Sequence, residues 1–160
     1  MSLVVKIIFI IVLLFIFFQD IKETKVVLGL FLLGSILGTY IFYKQYFTAV
    51  FLINIAVNCA VVIFIGLLVF IYAKIKLKKE MWEAIGAGDF LFFFLMALIF
   101  PTVKFLTLFT SSLFFSLILS LLLKSKLKHR TVPLAGFQAL FLSLILTVNL
   151  LFSIINLYAV

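Results

Sequence analysis

Acidic side chains are scarce in this chain: five in 160 residues, against 13 basic ones, with charge of both signs confined to 11% of positions. That is too little to solvate the surface of a soluble domain of this length. With 68% of residues hydrophobic and 18% aromatic, the composition is that of an integral membrane protein. Cysteine occurs once, at Cys59 inside an apolar run, which excludes an intrachain disulfide and a cysteine-based zinc site. Histidine also occurs once. His129 sits in a basic loop and reads as a solvated residue rather than a ligand. The net charge of +8 would point to nucleic acid in a soluble protein. Here the basic residues cluster in short loops between apolar runs, which is a topology signal, and no nucleic-acid partner is expected.

What remains is apolar sequence. At about 20 residues per transmembrane helix, the chain has room for roughly six spans in a single domain over residues 1–160, and for no separate soluble domain. Span 1 is expected from Leu3 to Phe18, continuing helically towards Lys25; it lacks a small-residue cleavage site and reads as a retained span. Span 2 covers Val26 to Tyr43, where Gly34 and Gly38 form a Gly-x-x-x-Gly packing face. Span 3 runs from Phe47 to Ala73, with Asn54 and Asn58 on one face, placed to bond to a neighbouring helix. Span 4 covers Met81 to Phe100 and stops at Pro101, with Trp82 as an interface anchor. Span 5 covers Phe105 to Leu123 with a packing stripe of Ser112, Ser116 and Ser120, and span 6 fills the remainder.

The loops alternate in charge. Those after spans 1, 3 and 5 hold Lys22, Lys25, Lys74, Lys76, Lys78, Lys79, Lys124, Lys126, Lys128 and Arg130, ten of the 13 basic residues. The other side keeps Lys6, Lys44 and Lys104. The positive-inside rule then expects six transmembrane helices in an all-α bundle with N-terminus and C-terminus both outside the cytoplasm.

This topology brings two of the carboxylates to one side of the membrane. Asp20 ends span 1, and Asp89 lies just inside span 4 behind Gly86 and Gly88. On helical flanks they lie at similar depth, roughly 7 Å from Lys25 and roughly 10 Å from Trp82. Glu23, Glu80 and Glu83 lie nearer the aqueous loops. An ionisable side chain within a span is costly and reads as functional by default. Singly, Asp20 reads as a helix-end cap and Asp89 as a cap or the partner of a loop lysine. Their shared side and depth favour a pair.

Two carboxylates in one site cannot both be ionised cheaply, so the pair holds one proton. The ionised partner can take a proton from water while the protonated one polarises a carbonyl, the chemistry of peptide hydrolysis. Gly86 and Gly88 would admit an extended substrate backbone. A proton- or cation-coupled small membrane transporter is the competing function, although transporters place such carboxylates near the midplane in broken or repeated helices. A non-enzymatic membrane assembly subunit is the third.

Gly86-Ala87-Gly88-Asp89 resembles the Gly-x-Gly-Asp motif of intramembrane aspartyl proteases. With six spans and an earlier Asp at the end of span 1, the whole chain looks like the type IV prepilin peptidases and their preflagellin relatives. Asp20-Ile21-Lys22-Glu23-Thr24-Lys25-Val26 is similar to that family's first motif, and Pro133-Leu134-Ala135-Gly136-Phe137 to the start of its last helix. The chain departs from the family pattern at Leu91, where a lysine is common, and at Val27-Leu28, where Pro-Asn is common. It also lacks the cysteine-bearing insertion of the long bacterial members. The resemblance implies a hydrolase of the inner (cytoplasmic) membrane with Asp20 and Asp89 as the catalytic pair. It would cleave basic leaders from pilin-like precursors on the cytoplasmic side, without methyltransferase activity. No metal or organic cofactor is implied. Oligomeric state is open, because small-residue faces serve contacts within and between subunits alike.

Overall fold

Residues 2–23, 27–77, 86–123 and 133–152 are described by a computed structural model. Among them there are six α-helices and no strand. They are α1 (Ser2–Glu23), α2 (Leu28–Tyr43), α3 (Thr48–Tyr72, extended by a π-turn over Ala73–Leu77), α4 (Ala87–Ile99), α5 (Thr102–Leu123) and α6 (Leu134–Phe152). Within the described residues, α1, α3, α5 and α6 are long and apolar enough to cross a membrane. The other two are shorter: α2 has 16 residues and α4 has 13. At 1.5 Å per residue, α4 is about 20 Å long, well below the roughly 30 Å hydrocarbon thickness. The basic loop 124–130, His129, and Glu80, Trp82 and Glu83 lie outside the described residues.

The start of α4 differs from the sequence expectation. A continuous helix from Met81 is not what the backbone forms at Gly86, which is extended (φ −59°, ψ 142°) and begins the helix only at Ala87. Glycine gains least from helical conformation, and two lie within three residues here. Asp89 therefore sits in the first turn of α4 rather than two turns inside a longer helix.

Why α4 is apolar all round follows from its neighbours. It packs against α2, α3, α5 and α6, and Phe92, Phe93, Leu95, Met96, Ala97 and Ile99 are all buried. A helix with no polar face is covered by protein or by lipid, and most of α4 is covered by its neighbours. Gly34 and Gly38 make this possible from α2. A Cβ on Gly38 would collide with the Ile99 side chain, and one on Gly34 would stand 3.0 Å from Leu95 Cδ1. The packing face expected of that glycine pair is thus the seat of α4, with Phe9 and Val12 of α1 on its flank.

The α4–α5 corner shows what the two asparagines of α3 do. Pro101 has no N–H and forces Phe100 into extended conformation (φ −133°, ψ 151°). Asn58 Nδ2 donates to the carbonyls of Ala97 (3.0 Å) and Phe100 (2.8 Å). The Thr102 N–H and Oγ1 donate to Asn54 Oδ1 at 2.8 and 2.9 Å. Backbone groups freed by the proline would be expensive in an apolar interior, and α3 supplies their partners. Ser112 and Ser116 of α5 are buried, in keeping with a packing stripe. Outward-facing side chains such as Phe15, Ile36, Phe64, Phe114 and Leu122 are exposed and apolar, a surface suited to lipid.

Candidate active site

Along α1, the buried side chains Phe9, Val12, Leu13 and Ile16 recur at helical spacing, and Asp20 is the next member of that stripe. The chain therefore places a carboxylate where the pattern calls for an apolar residue, and Asp20 is only 6% exposed. Phe9 and Val12 of the stripe lie against Gly34 and Gly38 of α2, while Asp20 meets α6, the most extensive neighbour of α1.

The N-terminus of α6 receives that carboxylate. The first amides of a helix have no partner within the helix and are usually capped by a side chain just before it. Pro133 precedes α6 and offers no side-chain acceptor. Its carbonyl takes the Phe137 N–H at 3.1 Å, leaving the amides of Ala135 and Gly136 to other helices. Asp20 Oδ2 accepts from Gly136 N–H at 2.6 Å. Asp89 Oδ1 accepts from Ala135 N–H at 2.7 Å. Two carboxylates from α1 and α4 thus cap consecutive amides of α6.

Consecutive amide nitrogens of a helix lie about 3 Å apart, so the two bonded oxygens are no more than roughly 8 Å apart. A helix N-terminus favours negative charge, while two anions at this separation repel. The two bonds fix one oxygen of each carboxyl group without a contribution from a loop.

Gly136 is what brings α1 and α6 together. A Cβ there would lie 3.0 Å from both Asp20 Cβ and Asp20 Oδ2, and 3.4 Å from the Phe17 carbonyl. On the other side, Gly86 is exposed, and a Cβ on it would lie 3.2 Å from Asp89 Oδ2. Gly86 is thus an exposed position beside Asp89 Oδ2. Gly88 is half-buried, and a Cβ on it would meet Phe31 Cζ at an ordinary 3.9 Å. It faces α2 rather than the carboxylate oxygens.

Asp20, Asp89 and Gly86 are thus gathered at one end of the bundle, and Gly88 stands beside them. The amides of Ala135 and Gly136 were not identified from sequence as the groups that hold the pair. A proline with no capping residue, followed within three positions by glycine, was the available signal. Among the described residues no group of three His, Cys, Asp or Glu side chains is placed to hold a metal ion. Comparisons with protein-family models, with curated proteins and with solved structures find no match to this chain.

Proposed function

We propose that this chain is an intramembrane aspartyl endopeptidase. The observation that carries the reading is the convergence of Asp20 and Asp89, from helices distant in sequence, on adjacent amides of α6. Either carboxylate alone would suffice as a cap. A second, half-buried at the same helix end of a largely uncharged bundle, is costly in stability and finds its use in chemistry.

In the proposed mechanism the ionised member of the pair accepts a proton from water as the water attacks the scissile carbonyl carbon. The protonated member donates its hydrogen bond to the carbonyl oxygen and stabilises the tetrahedral intermediate. Proton transfer to the leaving amine then breaks the C–N bond and regenerates the pair. The α6 amides hold both carboxyl groups through this cycle and favour the one negative charge it always carries. The substrate chain approaches past Gly86, beside Asp89 Oδ2; Gly88, which faces Phe31 of α2, has no part in that approach.

The substrates proposed are pilin-like precursors with a short basic leader before one apolar helix, cut at the cytoplasmic face of the inner membrane. Six spans with both termini outside, α2 and α4 included, complete this reading. The clustered lysines and the Gly-x-Gly-Asp sequence support it. Co-expression with such a precursor tests it, comparing wild type with Asp20→Asn and Asp89→Asn. Asparagine caps a helix as well as aspartate does, so both variants should fold and neither should cleave. Cleavage at the wild-type rate by either one refutes the proposal.

A further inference from the structure

Gln138 lies one turn beyond the two amides that hold the carboxylates. It is fully buried (0% exposed), and neither its Nε2 nor its Oε1 has a hydrogen-bond partner. Such a group in a folded interior calls for an explanation. Among the described residues the only other buried side-chain polar atoms without a partner are Asn58 Oδ1 and Ser116 Oγ.

Its direction follows from helical spacing. Phe141 meets α5 through Phe115, with ring centroids 5.2 Å apart, and the Ala135 amide meets Asp89 of α4. At 100° per residue, Gln138 lies about 60° from Phe141 and about 160° from Gly136, whose Cβ would meet α1, and the other helices packed against α6 are α5 and α4. It therefore faces the seam between α4 and α5. Side chains of a helix lean towards its N-terminus, which carries the carboxamide back over the turn that binds Asp89.

A peptide being cut has to leave its helix at the scissile bond. Its freed N–H and C=O groups then need partners, because an apolar site offers them no water. A carboxamide carries the complement of a peptide unit, one donor group and one acceptor. That of Gln138 has already lost its water in the fold, so pairing with a substrate exchanges no solvent bond and keeps most of its strength. We infer that Gln138 is a substrate-binding residue whose carboxamide pairs with one main-chain peptide unit of the substrate beside the Asp20/Asp89 pair. This assignment rests on the peptidase reading and names the chemistry by which the site recognises its substrate: backbone rather than side chain.

The test uses the full chain in proteoliposomes and a synthetic precursor with a basic leader and one apolar helix. Gln138→Leu and Gln138→Met are expected to lower kcat/KM roughly ten- to a hundred-fold, mainly through KM. Their thermal midpoints should equal or exceed that of wild type, because an unpaired polar group has been removed from the interior. Wild-type kcat/KM in either variant, whatever the midpoint, overturns the assignment. A second measurement holds even if neither variant folds. Replacing substrate amides by esters, one at a time around the cleavage site, should reveal a position where wild-type enzyme loses about tenfold in kcat/KM. Where Gln138→Leu folds, that loss should vanish in it, and a loss that persists overturns the assignment. Absence of any sensitive position also overturns the assignment. If Asp20→Asn or Asp89→Asn still cleaves, the peptidase reading itself falls. If both are inactive while Gln138→Leu runs at the wild-type rate, only the role of Gln138 is lost.

Discussion

Gly136→Ala probes the joint between α1 and α6, on which the position of Asp20 depends. The added Cβ would stand 3.0 Å from Asp20 Cβ and Oδ2 and 3.4 Å from the Phe17 carbonyl. Two of these three atoms are tied to the backbone of α1, so the clash cannot be relieved by rotating a flexible side chain. Overpacking of this kind costs about 1–3 kcal/mol. Alanine's better helix preference offsets up to about 1 kcal/mol of it, leaving a net loss of up to roughly 2 kcal/mol. The larger effect should be on rate. Separating the helices by a few tenths of an ångström lengthens the 2.6 Å bond from Gly136 N–H to Asp20. Since a displacement of 1 Å can cost about a hundredfold, kcat should fall roughly three- to tenfold with KM little changed. The assay is precursor cleavage in proteoliposomes alongside thermal unfolding in detergent, with Gly29→Ala as control. Its Cβ would meet only Val27 Cγ1, at 3.8 Å. Wild-type rate and midpoint in Gly136→Ala, or an equal loss in Gly29→Ala, would refute the reasoning.

Other perturbations separate fold from site. Asn58→Leu leaves the Ala97 and Phe100 carbonyls without their donor and should cost about 1–3 kcal/mol, read as a lower thermal midpoint. Gly38→Ala drives a Cβ into Ile99 and should likewise cost about 1–3 kcal/mol, because α4 has no free side towards which to move. Gly86→Ala adds a methyl 3.2 Å from Asp89 Oδ2 at an exposed position of ordinary φ. It should leave the midpoint within about 0.5 kcal/mol of wild type while lowering kcat/KM for the precursor.

The features readable in the sequence were those carried by spacing. Hydrophobic runs gave the helices, the Gly34/Gly38 pair gave a close packing face, and Asn54 and Asn58 gave a polar link to a neighbour. Asp20 was legible as a charge at the end of span 1, and Asp89 as a charge behind glycines. The start of α4 is not legible from hydrophobicity, because the glycines decide where the helix begins. Whether the two carboxylates meet depends on helix rotation, which one sequence does not fix. Here it is set by the approach of α1 and α6 at Gly136 and by the uncapped amides behind Pro133. Gln138 was hidden for a related reason: a glutamine in a helix reads as unremarkable until its burial and its missing partners are seen.

The central claim is that Asp20 and Asp89 act as one catalytic unit, and a double-mutant cycle on cleavage measures this most directly. Groups that work together lose nearly all activity when either is removed and lose little more when both are. In proteoliposomes, Asp20→Asn and Asp89→Asn should each lower kcat/KM by at least roughly a thousandfold, with the double variant no more than a few-fold below the singles. Wild-type cleavage by either single variant, or two modest losses that multiply in the double, would contradict the account.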